Sequence, residues 1–265
     1  MTEFYRDPFT RLRIGGTTIV HRGDLEFEII RQSPASFMPW CLHAMVEASS
    51  PGLHRKMPCA WTEEPDKVVA LVRQEGVGGL AWSFRESESG LLAFRMTLTN
   101  ASPEDWRDTT VSVHTFPEPR LFRGDKTYVE ENGAIREIRS LWPRGVNATR
   151  GVYPFRGREP FVTERLAAKG FWKIVPCGLT APFVFRIGGG NEPTPHARWC
   201  ESLPLVTGLS CERINAVVSN FEWPCLDLFV DYGAIPRGEA RSQQGYIGIM
   251  QGTAEDFVKT VRGDR

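Results

Sequence analysis

The 265-residue chain predicts an all-β fold, a large antiparallel β-sandwich of supersandwich size with a short C-terminal helix. Three observations carry this. Short alternating or β-branched runs recur along the whole chain; Gly, Pro, Asn or Asp closes each of them; and no helical periodicity lasts three turns except at the tail. With 41% hydrophobic and 24% charged residues, a single domain over 1–265 can bury a core without disulfide or metal staples.

Taken in order, the first strand is Asp24 to Ile29, where Leu25, Phe27 and Ile29 fall on one face and acids on the other. Strands follow at Lys67 to Arg73, Leu91 to Thr99 and Thr109 to Thr115. The sequence Asn100-Ala101-Ser102-Pro103 makes a turn, and Glu131-Asn132-Gly133 reads as a hairpin tip. Between about 117 and 170 the chain is rich in Pro, Gly and Arg and weak in strand signal, so it predicts an excursion across a cleft or an arm between copies. A homo-oligomer therefore stays open. Later strands are expected at Phe171 to Val175, Phe183 to Ile187, Ile214 to Ser219, Leu226 to Tyr232 and Arg241 to Met250, with Gly188 to Asn191 leaving one of them. At the tail, Thr253 and Asp256 form a capping box, and Phe257, Val258 and Val261 make the apolar stripe of one helix.

Charge excludes some partners. Lys plus Arg equals Asp plus Glu at 32 each, so no net field draws the chain to nucleic acid or an anionic membrane. Nowhere do roughly 18 apolar residues run together, and Asp, Glu and Arg interrupt the opening where a secretory signal needs apolar residues. A cytoplasmic protein is expected, whose six scattered Cys, none in a CxxC pair, are buried thiols.

Walker, GxGxxG, HExxH and GxSxG motifs are all missing, so no cofactor is expected and any chemistry comes from residues far apart in sequence. Cys41, His43, His54 and Cys59 have the ligand types for zinc but not the spacing of a closed site, and no metal is expected. His114 is the most informative of the five His: alternation sends Val111 and Val113 to one face and Thr110, Ser112 and His114 to a polar face. That face is either solvated or part of a cleft. On the later strand, Asp227, Phe229 and Asp231 share a face, a pattern that suits a sugar-facing wall as well as open solvent. Glu222 lies between Phe221 and Trp223, where desolvation would favour its protonated form and make it a base candidate. Most of the eight Trp are core residues on general grounds; Trp142 and Trp223 are candidates to line a groove.

The run Phe94-Arg95-Met96-Thr97-Leu98-Thr99-Asn100-Ala101-Ser102, followed by a strand and by the late turn Ile235-Pro236-Arg237-Gly238-Glu239, resembles the galactose mutarotase-like β-supersandwich proteins. It is most similar to uncharacterised bacterial members. In aldose mutarotases a His in a His-Thr-Tyr-Phe-Asn segment is the acid, and a Glu shortly before the Pro-Gly-Glu turn is the base. Here Val113-His114-Thr115-Phe116-Pro117 and Glu222 correspond. The Asn after the aromatic is missing, and so is an obvious second catalytic His.

The resemblance and the polar faces together imply an enzyme acting on a sugar or glycoside by paired acid-base chemistry. His114 and Glu222 are its catalytic pair, and His43, Arg165, Asp227, Asp231, Trp223 and Trp142 contact a small-molecule or oligosaccharide substrate. An epimerase and a lyase are the two forms this takes, a lyase using Arg150, Arg156 and Arg158 to hold an acidic substrate. A non-catalytic carbohydrate-binding sandwich is the alternative from another class.

Overall fold

A computed structural model of the chain describes residues 9–31, 40–48, 53–117, 122–144, 150–166, 173–175, 177–188, 204–220 and 225–263. Among these residues eighteen strands, numbered along the chain, build two nine-stranded sheets. The first runs β1 (Thr10–Ile14), β2 (Thr17–His21), β3 (Glu26–Arg31), β4 (Trp40–Ala48), β9 (Trp106–Pro117), β17 (Cys225–Ile235), β16 (Ile214–Asn220), β12 (Arg150–Pro154) and β13 (Lys173–Ile174). The second runs β11 (Ala134–Glu137), β10 (Phe122–Glu131), β14 (Phe183–Gly188), β15 (Leu205–Cys211), β18 (Ala240–Gln251), β8 (Leu92–Asn100), β7 (Gly78–Glu86), β6 (Lys67–Gln74) and β5 (Ala60–Glu64). Neighbours are antiparallel except β12 and β13. The expected all-β sandwich with a C-terminal helix is the observed architecture.

Alternation explains how the sheets face each other. Val111 and Val113 of β9 and Leu226, Leu228 and Val230 of β17 point inward to one cluster shared with Val184, Leu209, Ile247 and Met96 of the second sheet. Buried polar links also cross between the sheets. The Tyr232 hydroxyl donates to the Met96 carbonyl at 2.8 Å. Fully buried Arg186 of β14 donates through Nε to Thr127 Oγ1 at 2.9 Å and through Nη2 to the Cys225 carbonyl at 3.1 Å, which ties the start of β17 to the opposite sheet.

The two motifs that carry the family resemblance meet in space. Asn100 donates its amide N–H to the Glu239 carbonyl and accepts the Gly238 N–H at its own carbonyl, both at 2.9 Å, while its side chain donates to the Ile235 and Glu104 carbonyls. The turn after β8 and the turn before β18 are thereby clamped together. Asn132 and Gly133 both take positive φ, at 52° and 82°, as a two-residue hairpin between β10 and β11 requires.

The segment from 117 to 170 is less of an excursion than expected. It supplies β10 and β11 to one sheet and β12 to the other. Tyr128 and Val129 of β10 and Val152 and Tyr153 of β12 give it the apolar contacts that its Arg and Gly content masks. What does leave the sheets is a helical turn, α1 (Glu159–Phe161), continuing through Val162–Leu166. Val162, Phe161 and Leu166 lie on Val152, Ala216, Val218 and Phe229, outside the sandwich.

Helix α2 (Ala254–Gly263) forms as the capping box predicts. Asp256 Oδ2 accepts the Thr253 N–H at 2.8 Å, and Thr253 Oγ1 accepts the Asp256 N–H at 3.3 Å. Its Phe257 and Val261 are buried against Phe183, Phe185 and Val206 on the outer face of the second sheet.

Candidate functional site

The first sheet places β9 and β17 side by side, fifth and sixth in its order of nine, so their outer faces form the middle of a broad surface. Register puts Asp227 directly across from His114, and Phe229 across from Ser112. Directly opposed residues of an antiparallel pair stand on the same face. Since Val111, Val113 and Leu228 point to the core, Ser112, His114 and Asp227 point away from it.

The three side chains form a chain of contacts. His114 Nδ1 stands 3.3 Å from Asp227 Oδ2, and Nε2 is 3.1 Å from Ser112 Oγ. Their exposures differ in a way that matters for chemistry. Asp227 keeps 3% of its side-chain surface and His114 keeps 23%. A buried carboxylate holds one ring nitrogen and the Ser112 hydroxyl meets the other, which fixes ring orientation. Burial, then the charge of Asp227 beside it, pushes the Cys225 thiol well above its ordinary range, so Cys225 is an inert neighbour.

The connectivity carboxylate, imidazole, hydroxyl is that of a nucleophilic triad, but the position of Ser112 argues for a different use. An acyl-transfer site needs free N–H donors around the developing oxyanion. Ser112 lies within β9, which is paired on one side by β4 and on the other by β17, so the neighbouring backbone N–H groups are spent on the ladders. The arrangement therefore favours proton transfer by His114 over acylation of Ser112.

Asp231, expected beside Asp227 in a sugar wall, is on the same face but buried and occupied. Its Oδ1 meets Arg158 Nη2 at 3.2 Å and its Oδ2 meets Arg213 Nη2 at 2.9 Å. Arg158 also donates through Nε to Asn215 Oδ1 at 2.6 Å and lies over the Phe161 ring, so this cluster pins the helical turn 159–166 onto the sheet. The turn covers β12, β16 and Phe229 and leaves Ser112 and His114 half-exposed.

The remaining expected residues fall as follows. Arg165 is exposed and pairs with Asp108 at 3.1 Å, which makes it a surface ion pair and not a contact of His114. Trp142 packs against the sandwich core, edge-on to Tyr153 at 6.1 Å, and so also lies away from His114. His43 pairs in the β4 ladder with Phe116, two register steps from the pair Met45 and His114; its side chain lies outside the described residues. Glu222 and Trp223 lie outside the described residues altogether.

Of the zinc-type residues, His54 accepts the Lys56 N–H at Nδ1 at 3.2 Å, and burial pushes the Cys59 thiol up to about 12. Among the described residues no three His, Cys, Asp or Glu side chains gather as a metal site. No helix among them is long and apolar enough to cross a membrane.

Sequence reasoning missed Asp227 as the partner of His114. The signal was present, because each residue stood on the polar face of its strand, but nothing local announces that strands 113 residues apart are neighbours. No protein-family model matches the chain, and no curated protein matches its sequence.

Proposed function

We propose that the chain is a carbohydrate-active enzyme of the galactose mutarotase-like kind, with His114 as its proton-transfer group, working in the cytoplasm. The observation that carries this reading is the Asp227, His114 and Ser112 contact chain at the centre of the first sheet. An imidazole held at Nδ1 by a buried carboxylate can present Nε2 to a ring oxygen or hydroxyl. Ser112 shares that nitrogen in the free protein and yields it when a sugar hydroxyl arrives. Glu222, five residues before Asp227 in the chain, is the proposed base. The joined turns at Asn100 and Gly238, which carry the family resemblance, add support. Free thiols at Cys59, Cys177, Cys211 and Cys225 suit a reducing compartment.

Epimerisation at an anomeric or neighbouring carbon needs one donor and one acceptor across a ring, the pair assigned to His114 and Glu222. A panel of aldoses, uronates and short oligosaccharides followed by anomeric proton NMR tests this. Accelerated interconversion or elimination by the wild type, lost in His114→Ala with the fold retained, is the expected result. Saturable sugar binding that is the same in both proteins, with no turnover of any substrate, assigns the chain to carbohydrate binding instead.

A further inference from the structure

We infer that the groove where β17 and β18 meet the turn between β15 and β16 binds a small oxyanion, gripped by Arg213 and Arg241. The groove encloses about 450 Å³ and is lined by Glu212, Arg213, Tyr232, Arg241, Ser242 and Gln243. Its two arginines come from different sheets: Arg213 from the turn that leads into β16, Arg241 from the start of β18.

Charge bookkeeping at the floor of the groove leaves a positive surplus. Buried Asp231 is shared between Arg158 and Arg213 and also accepts the Gly233 N–H at 3.0 Å, so both of its oxygens are engaged. Arg241 adds a third guanidinium. Its Nη1 lies 3.9 Å from where a Cβ on Gly233 would stand, and among the described residues it has no ion-pair or hydrogen-bond partner. Among the described residues Glu212 is the one acid that lines the groove, and its Oε2 accepts the Gln244 N–H at 3.3 Å. Of the charged side chains that line the groove, Arg213 and Arg241 stand against Glu212, two cations to one anion.

The floor is also rigid. Gln243 is buried and donates through Nε2 to the Asp231 carbonyl at 2.9 Å, and Asp231 N–H donates to the Arg213 carbonyl at 3.0 Å. Arg213 spends one nitrogen on Asp231 and keeps over half of its side-chain surface exposed. A planar fork next to a second fork, with N–H groups that no described residue engages, matches the geometry of a carboxylate, phosphate or sulfate. The site is distinct from that of His114, because Asp231 is four residues beyond Asp227 on β17, roughly 13 Å at the rise of a strand.

The test is titration of the full chain with sodium phosphate, sodium sulfate and sodium glucuronate at fixed ionic strength, reading the arginine Nε–Hε resonances by NMR. Arg241→Gln is the control, since Arg241 is exposed and outside the core. Saturable shifts at Arg213 and Arg241, weakened at least ten-fold in Kd by Arg241→Gln, are expected; the tightest probe tells a carboxylate ligand from a phosphate or sulfate one. Lack of saturable shift with all three salts, or the same Kd in wild type and Arg241→Gln, overturns the inference.

Discussion

Adding one methyl group at Gly208 should loosen helix α2 from the sandwich, and the size of the effect can be worked from the contacts. A Cβ on Gly208 falls 2.3 Å from Cζ and 2.4 Å from Cε2 of Phe257, and 3.1 Å from Cβ of Phe185. Ordinary carbon contacts begin near ~3.5 Å, so the Phe257 ring must retreat by about 1.2 Å. It has little room, since it is fully buried, edge-on to Phe183 at 6.0 Å and tilted against Phe185 at 5.1 Å. Overpacking of this kind costs about 1–3 kcal/mol. Removing the ring by Phe257→Ala costs about 3–5 kcal/mol on its own, but it also removes the clash. The two substitutions are therefore non-additive, with Gly208→Ala close to neutral in the Phe257→Ala background. Urea unfolding of the four proteins, with hydrogen exchange across α2, measures this. An equal cost of Gly208→Ala in both backgrounds refutes the packing argument.

Two further outcomes follow from the polar contacts. Asp231→Ala should destabilise the protein by about 3 kcal/mol, the low end for losing one partner of a buried ion pair because Arg213 keeps access to water; it should also raise proteolysis in 159–166, and urea unfolding with limited proteolysis checks both. His21 stacks on Trp61 and accepts the Gly23 N–H at Nδ1, and burial lowers its pKa from the ordinary 6.5. The unfolded chain then takes up the proton first, so stability contributed by neutral His21 is present above about 6.5, declines as pH drops through the window below it, and levels off beneath the folded-state value. Thermal melts across that window should show a shallower slope for His21→Gln than for the wild type.

Much of the fold was legible because half-buried strands alternate. Lys67 to Gln74 and Leu92 to Asn100 each bury every second residue, and both were read from that pattern to within a residue. Strand β15 was not, and its environment explains why. All seven residues from Leu205 to Cys211 are buried, one face in the sandwich core and the other under α2, so no polar face remains to mark the period. Strands β10 to β12 were hidden by the charged and turn-forming residues in their sequences, such as Lys126, Glu130 and Glu131 of β10, Arg136 and Glu137 of β11, and Arg150 and Gly151 of β12. At the candidate site the faces of His114, Asp227 and Asp231 were readable, whereas their partners were not. Asp231 was expected to meet a ligand and instead meets Arg158 and Arg213, a choice made by tertiary packing of a turn some 70 residues upstream.

The central claim, that Asp227 works through His114 in proton transfer, is tested most directly by a double-mutant cycle on the sugar found to turn over. Positioned acid-base groups contribute about 10²–10⁴-fold, so His114→Ala should lose a factor of that order. Asp227→Asn should lose less, and the double variant should be no slower than His114→Ala alone. Rate losses that multiply independently, or a His114→Ala protein as fast as the wild type, contradict the account.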